Sequence, residues 1–189
     1  MKVFARYILF CVIIFNFNTS KSNDALKAAI NNKYRDDKNI TRDVYRNPYE
    51  TLSFFGLEKN MKVLEIVPGR GWYTEILSSY MKETNNFYVA TYKEPQYAID
   101  IITKIQNEFY EYFDKNQKKF GKIKTIFIDK NLKLESDIEY FDLVLTFRNT
   151  HNFLDQKKSE NILKSIYNSL KKGGVLGVVQ HRADESAKK

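Results

Sequence analysis

Short, mostly apolar runs of five to seven residues alternate with longer stretches of helical period over most of this 189-residue chain. The runs are residues 62–67, 87–92 (FYVATY), 124–128 (KTIFI), 141–147 (FDLVLTF) and 175–179 (VLGVV); their length and their β-branched and aromatic content predict strands. Between them, Trp72 opens a helix that continues to Met81. Residues 97–120 read as one long helix with Tyr97, Ile101, Ile105, Phe109 and Phe113 as its inward stripe and Gly121 as its stop. Asp155 is the expected cap of a helix running to Lys172, with Ile162, Leu163, Ile166, Tyr167 and Leu170 inward and Gly173 ending it. Strands that alternate with helices predict an α/β fold, a doubly wound, mostly parallel sheet covered on both faces.

The chain ahead of the first strand is different. Residues 1–22 have a basic start at Lys2 and Arg6, an apolar stretch from Tyr7 to Phe17, and small residues at Ser20 and Ser22. That order predicts a signal peptide cleaved before Asn23 and an exported protein, periplasmic or secreted, held at a membrane only if the signal stays uncleaved. Its apolar stretch is shorter than the span of about 20 residues a membrane requires. Residues 23–57 form an N-terminal helical arm. It holds an amphipathic helix over 23–32 with Leu26, Ala29 and Ile30 on one face, then a polar segment over 34–47 laid over the domain. A short helix follows from Pro48 to Gly56. Arg42, Asp43 and Arg46 in the polar segment can pair with one another or line a pocket. Residues 58–189 make up the α/β domain.

Charge and rare residues narrow the chemistry. The formal charge is +8, and loss of Lys2, Arg6 and Lys21 with the signal leaves 28 bases against 23 acids. That surplus is small and spread along the chain, so no nucleic acid is expected as a partner and a small-molecule substrate is. The single cysteine, Cys11, lies in the signal, which removes disulfides, thiol catalysis and cysteine zinc sites from the body of the protein. Two histidines, His151 and His181, are too few for a His-rich metal site, and no metal is assigned.

The chemistry is expected at one stretch, residues 61–76 (MKVLEIVPGRGWYTEI). A buried strand with one acid, Glu65, feeds the tight turn Pro68-Gly69-Arg70-Gly71, and Trp72 begins a helix. Gly69 and Gly71 let the backbone come close to a ligand, and the first amides of the helix point at whatever sits there. In parallel sheets ligands bind beyond the carboxyl ends of the strands. That rule selects residues 67–72, 91–94, Asp129, 148–152 and 180–182.

Glu65-Ile-Val-Pro-Gly-Arg-Gly71 resembles motif I of the class I S-adenosylmethionine-dependent methyltransferases, and Leu170-Lys-Lys-Gly-Gly-Val-Leu176 resembles the turn before their fifth strand. Residues 46–77, 142–152 and 180–186 are similar to those of a group of predicted, signal-bearing bacterial methyltransferases. The resemblance implies a Rossmann-like fold, S-adenosylmethionine as cofactor and methyl transfer as the reaction. It implies that Pro68, Gly69, Arg70 and Gly71 wrap the methionine part of the cofactor, with Glu65 beneath them and Trp72 beside it as core or lid. Glu94 would then serve the ribose and Asp129 the adenine. Asn149, His151 and Asn152 would lie nearest the transferable methyl, with His151 suited by its ordinary pKa near 6.5 to take a proton. His181 and Arg182 are further pocket candidates.

Two departures from that family stand in the sequence. Val67 replaces the first glycine of the motif, and a β-branched residue there narrows the space and resists unusual backbone angles. The chain also stops after the fifth strand, where the family adds a helix and two strands, so the domain reads as truncated or shortened. Two other functions compete. One is a non-catalytic small-molecule binder on the same fold. The other is a nicotinamide-dependent oxidoreductase, which lacks its third glycine because Thr74 stands there.

Overall fold

A computed structural model of the chain describes residues 24–93, 100–155 and 159–182. The expected signal over 1–22 and Glu94 lie outside the described residues. In order, the elements are α1 (residues 24–30), α2 (Asp37–Ile40), α3 (Asp43–Arg46), α4 (Pro48–Phe54), β1 (Val63–Ile66), α5 (Trp72–Met81), β2 (Phe87–Tyr92), α6 (Asp100–Lys115), α7 (Gln117–Phe120), β3 (Lys124–Ile128), β4 (Phe141–Phe147), α8 (Thr150–Asp155), α9 (Ser159–Ser169) and β5 (Leu170–Val179).

Five parallel strands form one sheet in the order β3-β2-β1-β4-β5. Successive side chains on a strand face opposite ways, and the central strands feed two separate cores. Val63, Val89, Leu143 and Leu145 pack under Leu26, Leu52, Ile76, Leu77, Phe109 and Phe113, so α1, α4, α5 and α6 cover that face. Leu64, Ile66, Ala90 and Val144 pack on the other face against Phe153, Ile162 and Ile166 of α8 and α9. Strand order reverses between β1 and β4, the place where such sheets open a crevice for ligands.

The arm is part of the first core. Leu26 and Ala29 of α1 and Leu52 of α4 are buried with the sheet residues. Pro48 is the first residue of α4, as its fixed φ favours. Asp43 pairs not with Arg42 or Arg46 but with Arg35, through two contacts of 2.7 and 2.8 Å. The Arg35 side chain is completely buried and also faces Glu75 in the first turns of α5, Nε to Oε2 at 3.6 Å. Glu75 Oε1 accepts from the Asp36 amide and from the Tyr112 hydroxyl. One buried guanidinium therefore joins the arm to α5.

Three boundaries differ from the periodic reading. The long helix divides at Asn116, whose side chain donates to the Tyr112 carbonyl at 2.8 Å and competes with the helical ladder. Its inward stripe is also different. Ile101 is 57% exposed, because strict four-residue spacing drifts about 40° per step on a helix of 3.6 residues per turn. The last helix stops at Ser169 rather than Lys172. Amides of Glu139 and Tyr140 take the carbonyls of Asn168 and Ser169, and Leu170 already pairs with Phe141. Lys171 to Gly174 then pass as a bulge, pinned by a 2.7 Å contact from Lys171 to Asp142. Asp155 closes α8 instead of opening the following helix.

Arg35→Met is expected to lower unfolding free energy by about 3 kcal/mol or more, since it leaves the Glu75 carboxylate buried without its cation. Urea denaturation followed by circular dichroism measures this; a loss under about 1 kcal/mol would show that the arm is not anchored there.

Candidate functional site

The turn after β1 carries three left-handed residues in five: Val67 at φ 48°, Gly69 at 61° and Gly71 at 83°. The valine does not prevent the glycine-like backbone; it adopts it, at a cost a β-branched residue rarely accepts. Asn149 shows what holds it there. The residue is buried beyond β4, and its Nδ2 donates to the Ile66 carbonyl at 3.0 Å and the Val67 carbonyl at 3.1 Å. Expected beside the reacting group, Asn149 instead has its amide on the backbone of the turn, so it positions the loop. Gly71 caps α5, and its amide closes the turn on the Pro68 carbonyl.

Glu65 lies behind the turn rather than in front of it. Its carboxylate is fully buried on the α5 face and accepts from the Thr74 hydroxyl at 2.7 Å. Burial pushes its pKa up to about 8, against the smaller opposing effect of that hydrogen bond. At neutral pH the group is therefore largely protonated. Through Thr74 it fixes the start of α5, so the residue that breaks the dinucleotide glycine pattern has a part in the site.

The space in front of the turn is small. Val67, Pro68, Gly69, Thr91, Tyr92, Ile102, Ile105, Gln106 and Phe109 line a cavity of about 30 Å³, room for about one water molecule. Helix α6 closes it. Gln106 holds both backbone groups of Tyr92, accepting from its amide at 3.1 Å and donating to its carbonyl at 2.9 Å. Tyr110 and Thr91 share a hydrogen bond across the same gap. Arg70 pairs with Glu108 at 3.3 Å, and a Cβ placed on Gly71 would strike the ring of Phe113. Gly69, by contrast, faces open space. The backbone of the turn has the shape to cradle a nucleoside cofactor; among the described residues the cavity beside it, about 30 Å³, is smaller than one.

The remaining expected residues divide. Trp72 is buried under the arm, its Nε1 donating to the Asn39 carbonyl at 2.7 Å, which makes it core rather than lid. Asp129 Oδ1 accepts from the amides of Asn131 and Lys133, both at 2.8 Å, and shapes the turn after β3. His151 is exposed at the ligand edge, and its Nδ1 contacts Gln180 Nε2 at 3.0 Å. Asn152 is half-buried on α8. The rings of His151 and His181 stand 6.2 Å apart. Arg182, two residues beyond Gln180, is exposed. Gln106 and Tyr110 were missed. The one signal for Gln106 is a polar residue on an apolar helix face, four positions after Ile102.

Solved structures share this fold. A SAM-dependent methyltransferase from Aquifex aeolicus matches with a TM-score of 0.62 at 19% identity, over 79% of this chain and 71% of that one. The YcgJ protein of Bacillus subtilis matches at 0.55 and 15% identity, over 75% and 53%. Coclaurine N-methyltransferase, solved with N-methylheliamine and S-adenosylhomocysteine, matches at 0.52 and 14% identity, over 77% and 38%. This chain thus spans 71% of the first and about half or less of the other two. No protein-family model and no curated protein matches it in sequence. At these identities the likeness is one of fold: a five-stranded parallel sheet with flanking helices, as in the class I methyltransferases.

Glu65 gives this site a pH signature. Its folded pKa of about 8 lies above the unfolded value near 4.5, so the stability tied to its neutral form is complete below pH 4.5 and lost as pH rises toward 8. Glu65→Gln is expected to flatten that decline and to exceed the wild type in thermal midpoint at alkaline pH. Parallel midpoint profiles for the two proteins between about pH 5 and about pH 9 would contradict the buried, protonated carboxyl.

Proposed function

We propose that the chain is an S-adenosylmethionine-dependent methyltransferase acting on a small molecule. The observation that carries the reading is the turn itself: three left-handed residues and a helix start at the point where strand order reverses. The likeness of the whole sheet to solved methyltransferases supports it. In this reading Pro68 to Gly71 hold the methionine part of the cofactor, with Glu65 setting the loop from behind. Glu94 and Asp129 serve the nucleoside, and His151 and Asn152 face the acceptor. Residues 1–22 direct the chain out of the cytoplasm. Because Gln106 and Phe109 of α6 narrow the cavity to about 30 Å³, a cofactor bound there would need them to withdraw from β2 and the turn.

The same 30 Å³ cavity favours a second reading, a non-catalytic protein on a methyltransferase fold whose nucleoside site is narrowed by its own helix.

Titration calorimetry with S-adenosylhomocysteine separates the two. The methyltransferase reading expects saturable binding in the wild type. It also expects tighter binding to Val67→Gly, which widens the cavity and relieves the strained φ. No heat from either protein at about millimolar ligand, where even a ligand held by only about 4 kcal/mol registers, would favour the non-catalytic scaffold. Gly69→Ala is a poorer probe, since φ 61° penalises any side chain there whether or not a ligand binds.

A further inference from the structure

A row of packed, mostly buried aromatic rings lies behind the ligand edge, with one arginine over its first ring and another next in sequence to its last. The Arg46 guanidinium lies over Trp72, 4.6 Å from the ring centre. Trp72 meets Tyr73 edge-on at 4.5 Å, and Tyr73 stacks on Phe147 at 3.5 Å with the planes 11° apart. Arg148 follows Phe147 directly and is held at φ 64°, its amide bonded to the Val179 carbonyl at 2.7 Å. One cation comes from the arm and one from the end of β4. The N-terminal end of α5, which begins at Trp72, lies between them and adds the partial positive charge of a helix start.

Each neighbouring acid is already committed. Asp43 is paired with Arg35 at 2.7 Å, and Glu75 faces the same guanidinium at 3.6 Å. Glu65 holds a proton, its pKa pushed up to about 8 by burial. Among the described residues, neither Arg46 nor Arg148 has a carboxylate partner. Arg148 Nε instead donates to His181 Nε2 at 2.7 Å, with Nη2 3.3 Å from Nδ1 of the same ring. Arg42, ahead of α3, is exposed nearby. The Arg46 pKa is lowered by its partial burial and next by the charges of Arg42 and Arg148, so the three guanidinium groups share one neighbourhood. Like charges gathered beside a helix N-terminus repel unless an anion completes them.

We propose that Arg46 and Arg148, with Arg42 at the rim, form a binding site for the carboxylate or phosphate group of a small ligand at the mouth of the glycine turn. Arginine suits this role because its planar fork meets either group with two hydrogen bonds. The inference rests on reading this edge as the ligand edge, and not on methyl transfer.

Titration calorimetry of the full chain at low salt tests it with three probes: inorganic phosphate, S-adenosylhomocysteine, and 5′-methylthioadenosine, which keeps the nucleoside and lacks the carboxylate. Arg46→Gln and Arg148→Gln are each expected to weaken phosphate or S-adenosylhomocysteine about tenfold. Arg46→Lys, which keeps charge and loses the fork, should fall between. Lys59→Gln, an equal loss of charge at the other end of β1, should bind as the wild type does. Weakened S-adenosylhomocysteine with unchanged 5′-methylthioadenosine assigns the anion to the cofactor's carboxylate; weakened phosphate alone assigns it to an acidic acceptor. If no variant and no wild type binds either nucleoside, the methyltransferase reading fails and the phosphate data still decide the site. Unchanged affinity for phosphate and S-adenosylhomocysteine in Arg46→Gln and Arg148→Gln, both folded by circular dichroism, overturns the proposal. So does an equal loss in Lys59→Gln.

Discussion

The carbonyls of Ile66 and Val67 end on a single side-chain amide, Asn149 Nδ2, and the ligand edge takes its form from that junction. The two carbonyls close a strand from one part of the chain; the amide arrives from a strand about eighty residues later. Without that donor, one buried and one half-buried carbonyl at the strained corner would lose this partner. With it, a valine is kept in a conformation that glycine would take freely, and the four residues after it are delivered to the start of α5. Thr74 and Glu65 hold the same corner from the other side. The turn is thus built from behind by a neutral carboxyl and from the flank by an amide, neither of which reaches into the cavity.

The strands were readable because parallel strands buried on both faces leave continuous apolar runs. The glycine turn was readable because few other reasons place two glycines between a buried strand and a helix. What was not readable depended on contacts between distant segments. Ser169 ends a helix because the chain ahead of β4 takes its last carbonyls, and nothing near Ser169 says so. Asn116 divides a helix by a choice between two local hydrogen bonds. Asp43 sits among arginines in sequence, yet its partner is the one arginine that is buried.

The edge rule named the right segments and left the direction of their side chains open. It brought Asn149, His151 and Asn152 to one place. In the structure the first of these faces the backbone, the second stands exposed, and the third is half-buried. It also had no means of placing Gln106, which acts from a helix flank rather than a strand end. Arg46 was a candidate only as part of a charged run. Its placement over Trp72 comes from the arm's anchoring at Arg35, a contact with no local trace in the sequence.

The position of β1 has a consequence for how the chain reaches this state. It is the middle strand of the sheet, yet it is made first, and one of its two neighbours is β4. Until residue 147 has been synthesised, one side of Val63–Ile66 presents unpaired amides and carbonyls within a mostly apolar stretch. A nascent chain in that interval has β2 on one flank of β1 and nothing on the other. Pairings so far apart in sequence form slowly and leave such edges open to other chains in the meantime. The corner that Asn149 completes is therefore among the last parts of the molecule to close during biosynthesis, and chaperone demand would fall on that same edge.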